Sequence, residues 1–283
     1  AAKERPLDNP LILHFSSPPD VERVAEVSDR ARHLMEHFWP GPLTLVLPSK
    51  GVAPPEVTAG LDTVAVRMPS HPVALALLAA SSVPVAAPSA NSSGRPSPTD
   101  ASAVAEDLGS RVDLILDGGA ASVGVESTVL DITGKDLILL RPGGCSVEEI
   151  ESATGERVVR DGGREARSPG TRHRHYAPSI PLMLHDHEGA RERALALGGR
   201  IAWLGMAGPE ILFDRGETDE ELSLVFSSPE NYARGLFHAL RVLERSGAAV
   251  IVAERPGSRT GISLALRDRL ERASGGGLRG EEK

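Results

Sequence analysis

Short apolar runs, each stopped by proline, glycine or a charge, recur along this chain and limit what it can become. Residues 11–15, 43–47, 63–68, 83–87, 112–117, 125–131 and 137–141 are Val-, Leu- and Ile-rich and too brief for a core helix, so they read as strands. Between them lie stretches with helical spacing. Over 21–38, Val21, Val24, Ala25, Ala31, Leu34, Met35 and Phe38 fall near one face, with Asp20 placed to cap. Residues 71–80 and 100–108 read as shorter helices, the latter capped by Thr99 or Asp100, and Ser146-x-x-Glu149 is a capping box opening another. Strand and helix alternate again over 180–274, with strands expected at 180–185, 200–205 and 248–253, which predicts an α/β protein with a small parallel sheet in its second part.

The organisation follows from where this alternation lapses. Residues 157–179 turn rich in Gly, Arg and His with little periodicity, as an interdomain linker would. The expected division is 1–156, a linker and lid at 157–179, a Rossmann-like α/β unit at 180–274, and a disordered tail at 275–283. Aromatic residues make up only 3% and the net charge is −8, which argues against a broad nucleic-acid surface. The single cysteine, Cys145, excludes an internal disulfide and suits a reducing cytoplasm. No apolar run approaches the length that spans a bilayer. There is no Walker-type phosphate loop, no dinucleotide fingerprint, no nucleophile elbow and no zinc spacing.

Several places could carry chemistry. The run 83–87 breaks at Pro88 into Ser89-Ala90-Asn91-Ser92-Ser93-Gly94-Arg95, small hydroxyls and one amide between a strand and a helix, where α/β proteins hold anions. Lys3 and Arg5 share one face of an extended segment. Arg67 ends an apolar strand, a position where a guanidinium has a carboxylate or phosphate partner, internal or bound. His14 lies within a strand, where a structural histidine is the commoner reading. Arg172-His173-Arg174-His175-Tyr176 is a basic stretch that could face an anion. His173, His175, His185 and His187 lack the companions of a metal site, so no metal ligands are assigned.

Taken together, the motifs resemble those of one family. Lys3-x-Arg5 with Ser89-x-Asn91 resembles the paired signature of YrdC-type domains. Around it stand Asp8-Asn9-Pro10-Leu11, Phe38-Trp39-Pro40-Gly41-Pro42-Leu43-Thr44, Val66-Arg67-Met68-Pro69, Gly124-Val125-Glu126-Ser127-Thr128-Val129 and Arg141-Pro142-Gly143. Ser168-Pro169-Gly170 with Arg174-His175-Tyr176-Ala177-Pro178 is similar to the linker of the two-domain form, threonylcarbamoyl-AMP synthase. The resemblance runs from Lys3 to about Arg269 and is strongest up to Pro178. It implies a YrdC-like twisted mixed open sheet with helices in front of the Rossmann-like unit.

The resemblance also implies an activity. The family forms threonylcarbamoyl-adenylate from L-threonine, bicarbonate and ATP, releasing pyrophosphate, and a partner transferase then moves the threonylcarbamoyl group to a tRNA adenosine beside the anticodon. Contact with tRNA itself would be indirect or weak, and no membrane is involved. ATP contacts are implied for Arg5, Asn9, Thr63, Ser89, Asn91, Ser97, Arg141 and Tyr176, with Lys3 and Arg5 at the reacting phosphates. Threonine contacts are implied for His14, Arg67, the Ala87 backbone and Ser127. Magnesium would arrive with the triphosphate. Two departures stand out: Glu4 replaces the family's usual glycine between Lys3 and Arg5, and a first strand and helix bearing one wall of the threonine pocket has no counterpart. The chain is therefore expected to be an N-terminally truncated member, its activity in this extent left open. Two rival readings are an RNA-binding module without turnover and a carbamoyltransferase-type relative.

Overall fold

The computed structural model describes residues 2–3, 5–6, 8–160 and 176–275. Glu4 and most of the expected linker and lid, with its basic stretch 172–175 and Ser168-Pro169-Gly170, lie outside them. The chain forms two compact units that are not contiguous in sequence: the first is chiefly Lys3–Ser89 with Glu126–Arg172, the second chiefly Ala90–Val125 with His173–Lys283.

The first unit is built on a mixed sheet. Among the described residues its strands are β1 (Ile12–His14), β2 (Leu43–Pro48), β3 (Thr63–Arg67), β4 (Val85–Ala87), β5 (Thr128–Asp131), β6 (Leu137–Arg141) and β7 (Val158–Arg160), in the order β4-β1-β3-β2-β5-β6-β7. β1 runs parallel to β3 and antiparallel to β4, β2 runs parallel to β5 and antiparallel to β3, and β6 is antiparallel to β5 and parallel to β7. Ile12, Val46, Ala65, Val129, Ile138 and Leu140 form one buried cluster. Alternation sends Leu45, Val66 and Leu130, all fully buried, to the opposite face. Helices α1 (Asp29–Phe38), α2 (Pro55–Thr58), α3 (Pro72–Ser81) and α5 (Val147–Thr154) belong to this unit, and α5 opens with the predicted capping box of Ser146 and Glu149.

In the second unit β8 (Leu182–Leu184), β9 (Arg200–Gly205), β10 (Ser223–Val225) and β11 (Ala248–Ala253) make an all-parallel sheet in the order β10-β9-β11-β8. The central strands β9 and β11 are covered on both faces, which explains their nearly continuous apolar sequence. Ala202, Leu204, Ile251 and Ala253 pack with α7 (Pro229–Arg245) and α8 (Gly261–Ala273), whereas Ile201, Trp203, Val250 and Val252 pack with Ala194 of α6 (Ala190–Leu197). The helix α4 (Ala101–Leu108), capped by Asp100, also belongs here.

Four local expectations are corrected. The helix expected over 21–38 starts only at Asp29. Before it lies a 3-10 turn (Pro18–Arg23), and then Glu26 donates to the Pro48 carbonyl and Lys50 to the Val24 carbonyl, so the backbone pairs with the end of β2. Ser28, not Asp20, caps α1. Residues 112–117 form no strand, and Leu114 stands 74% exposed. Val158–Arg160, placed at the head of the expected linker, pairs with β6 instead.

Candidate functional site

Two glycine-containing motifs set the geometry of the first unit. Trp39-Pro40-Gly41-Pro42 reverses the chain after α1. A Cβ at Gly41 would sit 2.2 Å from the Phe38 carbonyl oxygen, so only glycine fits. The turn is fastened by Trp39 Nε1 donating to the Leu43 carbonyl (2.7 Å) and the Gly41 amide donating to the Met68 carbonyl (2.9 Å). Gly143 lets the chain after β6 lie against the backbone of Ser127 and Thr128, which a Cβ would approach to 2.3 Å. Thr128 Oγ1 donates to the Cys145 carbonyl and accepts from its amide. The two motifs thus fix the ends of β3 and β5.

Five side chains lie there. His14 and Arg67 are register partners on adjacent strands. Arg67 Nε donates to the Gly41 carbonyl at 2.9 Å, and among the described residues no Asp or Glu pairs with its guanidinium. Arg141, 5% exposed, donates from Nη2 to the Ser127 carbonyl (2.9 Å) and to Ser127 Oγ (3.1 Å). Ser127 Oγ also bonds Thr44 Oγ1 at 2.7 Å. Burial and the nearby Arg141 charge lower Arg67 to a pKa of about 10. Burial, and then the Arg67 charge, lower His14 to about 4, against a smaller opposing pull from the Val85 and Ile12 carbonyls. His14 is therefore a neutral imidazole at pH 7, and its buried Nδ1 makes no hydrogen bond of normal geometry. Two guanidiniums, one neutral imidazole and two hydroxyls are groups whose chemistry suits a carboxylate attached to a donor group.

The remaining predicted residues of this unit gather elsewhere on it. Thr63 shares a strand face with Arg67 but lies four positions earlier, roughly 13 Å away at the usual strand rise. Ala87 is opposite Ile12, on the same face as His14 and two pairs along. Lys3 Nζ donates to the Ser89 carbonyl and lies 3.5 Å from Ser89 Oγ. Arg5 Nη2 donates to the carbonyls of Asn9 (3.2 Å) and Pro10 (2.7 Å), and Asn9 is 2% exposed. The structure so divides the predicted set into an Arg67 end (His14, Arg67, Ser127, Arg141) and a Lys3 end (Lys3, Arg5, Asn9, Thr63, Ala87, Ser89).

Asn91, Ser97 and Tyr176 belong to the second unit. Asn91 Nδ2 donates to the carbonyls of Ser92 and Arg95, both at 2.9 Å, which closes the loop on itself. Ser97 is buried beside Pro96. Tyr176, read from sequence as a lid residue, is 4% exposed here and has a positive φ of 65°. Its ring lies 5.2 Å from Phe237 and under the Arg269 guanidinium at 5.3 Å, as part of the core. Sequence reasoning missed Thr44, although the motif containing it stood out, because nothing in a strand sequence says which hydroxyl its neighbour offers. It also missed the charged pairs that hold the Asn91 loop. Among the described residues, no three His, Cys, Asp or Glu side chains are grouped to hold a metal ion, and no helix is long and apolar enough to cross a membrane.

Comparison with known proteins places this geometry among relatives. The family described as "Telomere recombination" matches residues 1–143, and the one described as "Threonylcarbamoyl-AMP synthase, C-terminal domain" matches 145–275. A threonylcarbamoyl-AMP synthase of Pyrococcus abyssi is 45% identical, the alignment covering 97% of this chain and 82% of the relative. One of Bacillus subtilis is 42% identical, again over 97% and 82%. The crystal structure of P. abyssi Sua5 complexed with L-threonine matches with a TM-score of 0.85 at 43% identity, over 97% of this chain and 83% of that one.

Proposed function

Since the chain belongs to the threonylcarbamoyl-AMP synthase family, we propose that it joins L-threonine, bicarbonate and ATP into threonylcarbamoyl-adenylate with release of pyrophosphate. The observation that carries this reading is the pair Arg67 and Arg141. They stand close enough for one to depress the other's pKa, with no Asp or Glu of the described residues paired to Arg67. Such a cation costs stability until an anion arrives, and a threonine carboxylate supplies one. The solved relative that carries L-threonine supports the same ligand class.

Each residue then has a task. The Arg67 fork takes the carboxylate, and Ser127 with Thr44 offers hydroxyls to the ligand's polar end. His14, neutral at pH 7, accepts a hydrogen bond from the threonine amine at Nδ1 without adding charge. The Arg67 and Arg141 charges disfavour the ammonium form, so the free amine attacks the bicarbonate carbon and a carbamate forms with loss of water. A carbamate oxygen attacks the α-phosphorus of ATP, the bond to the β-phosphate breaks, and pyrophosphate leaves with its charge. Both partners are anionic, so the protein's work is neutralisation and alignment. Lys3, Arg5, Asn9, Thr63, Ser89 and Arg141 are assigned to the nucleotide, as are Asn91, Ser97 and Tyr176 of the second unit, on the family resemblance. Magnesium, when bound, supplies further neutralisation of the triphosphate. Such an ion would keep phosphate and water ligands. We assign onward transfer to tRNA to a separate enzyme and the site of action to the cytoplasm.

The test is turnover. The chain is incubated with ATP, magnesium and bicarbonate, with and without L-threonine, while pyrophosphate is measured and the adenylate is sought by mass spectrometry. Pyrophosphate that requires both threonine and bicarbonate, with the matching adenylate mass, is the expected result. Pyrophosphate release indifferent to threonine, or salt-sensitive tRNA binding without turnover, would overturn it.

A further inference from the structure

Helix α7 carries a stripe of charged side chains whose partners outside the helix lie in 90–125 or in the short segment after Tyr176. Arg234 Nε donates to the Ser122 carbonyl at 3.0 Å, and His238 faces Asp100 at 3.8 Å. Arg241 grips Asp107 with both nitrogens, Nη1 to Oδ1 at 3.0 Å and Nη2 to Oδ2 at 2.8 Å, and Nη2 also donates to the Pro96 carbonyl at 2.6 Å. Arg245 Nη1 bonds Glu106 at 2.9 Å. Positions 234, 238, 241 and 245 follow helical spacing, so they form one face, while Tyr232, Leu236, Leu240 and Leu243 face the core of the unit. Gly124, at φ +81°, brings the far end of the segment onto the helix backbone, where a Cβ would meet Arg234 Cα at 2.3 Å.

The strongest contacts are buried. The Arg241 and Asp107 side chains are 3% and 2% exposed. Glu244, also 2% exposed, takes Arg95 on one oxygen and the Ser179 amide on the other at 2.8 Å. The Ala177 amide donates to the Gly94 carbonyl at 2.9 Å. Asp107 in turn accepts the Ser92 amide at 3.1 Å. Arg95, Pro96 and Ser92 surround Asn91 and Ser97, and Ala177 and Ser179 follow Tyr176. A buried ion pair of this kind is poor value for stability alone, because desolvation offsets much of its attraction, but it admits only one geometry. Burial pushes the Asp107 carboxyl up, and the Arg241 hydrogen bonds and charge outweigh that and hold it below its usual range.

We propose that Arg241 and Glu244 of α7 are positioning residues for nucleotide binding: they hold the Asn91–Ser97 loop and the segment after Tyr176 in one arrangement, which gives the C-terminal region an indirect part in nucleotide binding. This rests on the assignment of Asn91, Ser97 and Tyr176 to ATP. Arg241 touches no substrate. It acts through the Pro96 carbonyl and through Asp107, which holds the Ser92 amide.

The experiment compares the full chain with Arg241→Gln, Glu244→Gln and Arg255→Gln. The last removes an ion-paired arginine of the same unit, bonded to Asp186 and Glu271 away from this network. Calorimetry reads ATP and L-threonine affinity separately, and hydrogen exchange reads the amides from Ser92 to Asp100. Loss of about tenfold or more in ATP affinity for Arg241→Gln is expected, as for a contact group displaced by about an ångström. L-Threonine affinity should stay within about twofold, since its residues lie in the first unit, and Arg255→Gln should bind both as the parent does. The Ser92–Asp100 amides should exchange faster in Arg241→Gln while those of β9 and β11 keep their protection. Glu244→Gln gives the same comparison if Arg241→Gln does not fold. A folded Arg241→Gln with parental ATP affinity, or with unchanged loop exchange, overturns the proposal. If the parent chain binds no ATP, the nucleotide assignment fails on its own, and the exchange of the loop decides whether α7 positions it.

Discussion

Replacing Arg67 by Met should make the ligand-free first unit more stable and threonine binding far weaker. The magnitude can be worked from the charge. Arg67 is depressed to a pKa of about 10 by burial and by Arg141. A basic group whose folded pKa falls below its unfolded value destabilises the fold fully at any pH below the folded value, and the penalty fades only as pH climbs past it. At pH 7 the whole penalty therefore applies, about 3 kcal/mol, which partial exposure of the side chain reduces to about 2. The substitution also removes the Nε bond to the Gly41 carbonyl, a loss of about 1 kcal/mol. A net gain of about 1 kcal/mol remains. It would appear as slower exchange of the β3 amides, which report on the first unit alone. Calorimetry on the same variant should show threonine affinity down by about a hundredfold, the value of a charge-assisted fork to a carboxylate. A variant that is less stable than the parent and still binds threonine would make Arg67 a structural strut and refute the reasoning.

The strands that the sequence announced most clearly are those with neighbours able to bury them. Leu43–Pro48 and Ala248–Ala253 are covered on both faces, so continuous apolar sequence and actual burial agree. Residues 112–117 carry the same composition and form no ladder, because β-propensity expresses a fit to a partner strand and the partner is not written in the run itself. β7 shows the reverse: Val158 alone of its residues is buried, too little pattern to announce a strand, yet the edge of β6 supplied the hydrogen bonds. In the helix expected from Val21, apolar spacing was right and backbone pairing with Pro48 and Lys50 won locally.

The site was legible as residue types and opaque as geometry. Arg67 at a strand end was marked by its cost, and it stands beside His14 and near Arg141. No spacing rule could bring Thr44 to Ser127, 83 positions away, or Arg241 to Asp107, 134 positions away. A tertiary polar pair leaves no periodicity, and Arg241 on an otherwise amphipathic helix reads as a solvated charge. Glycines were the better witnesses: Gly41 and Gly143 sit where a Cβ would strike backbone, so the residue type alone marks the close approach that each motif makes.

Gly143→Ala should cost both fold and site, since its Cβ would fall 2.3 Å from the Ser127 carbonyl carbon; unchanged thermal unfolding would refute the close approach. Cys145 is raised to about 12 by burial and then by Glu149, so the native thiol should resist alkylation at pH 8 and react only on unfolding, as mass spectrometry would register. His14 supplies the pH dependence. Its folded pKa is about 4 against 6.5 when unfolded, so the unfolded chain takes up the proton first as pH falls. Stability is whole above about 6.5 and drains away between there and about 4, by about 3 kcal/mol at the limit. Threonine binding should hold across most of that window, because the folded imidazole stays neutral until pH nears 4. His14→Gln should flatten the stability profile between pH 6.5 and pH 4. A profile as steep as the parent's would assign the acid sensitivity to carboxylates and leave His14 with no part in it.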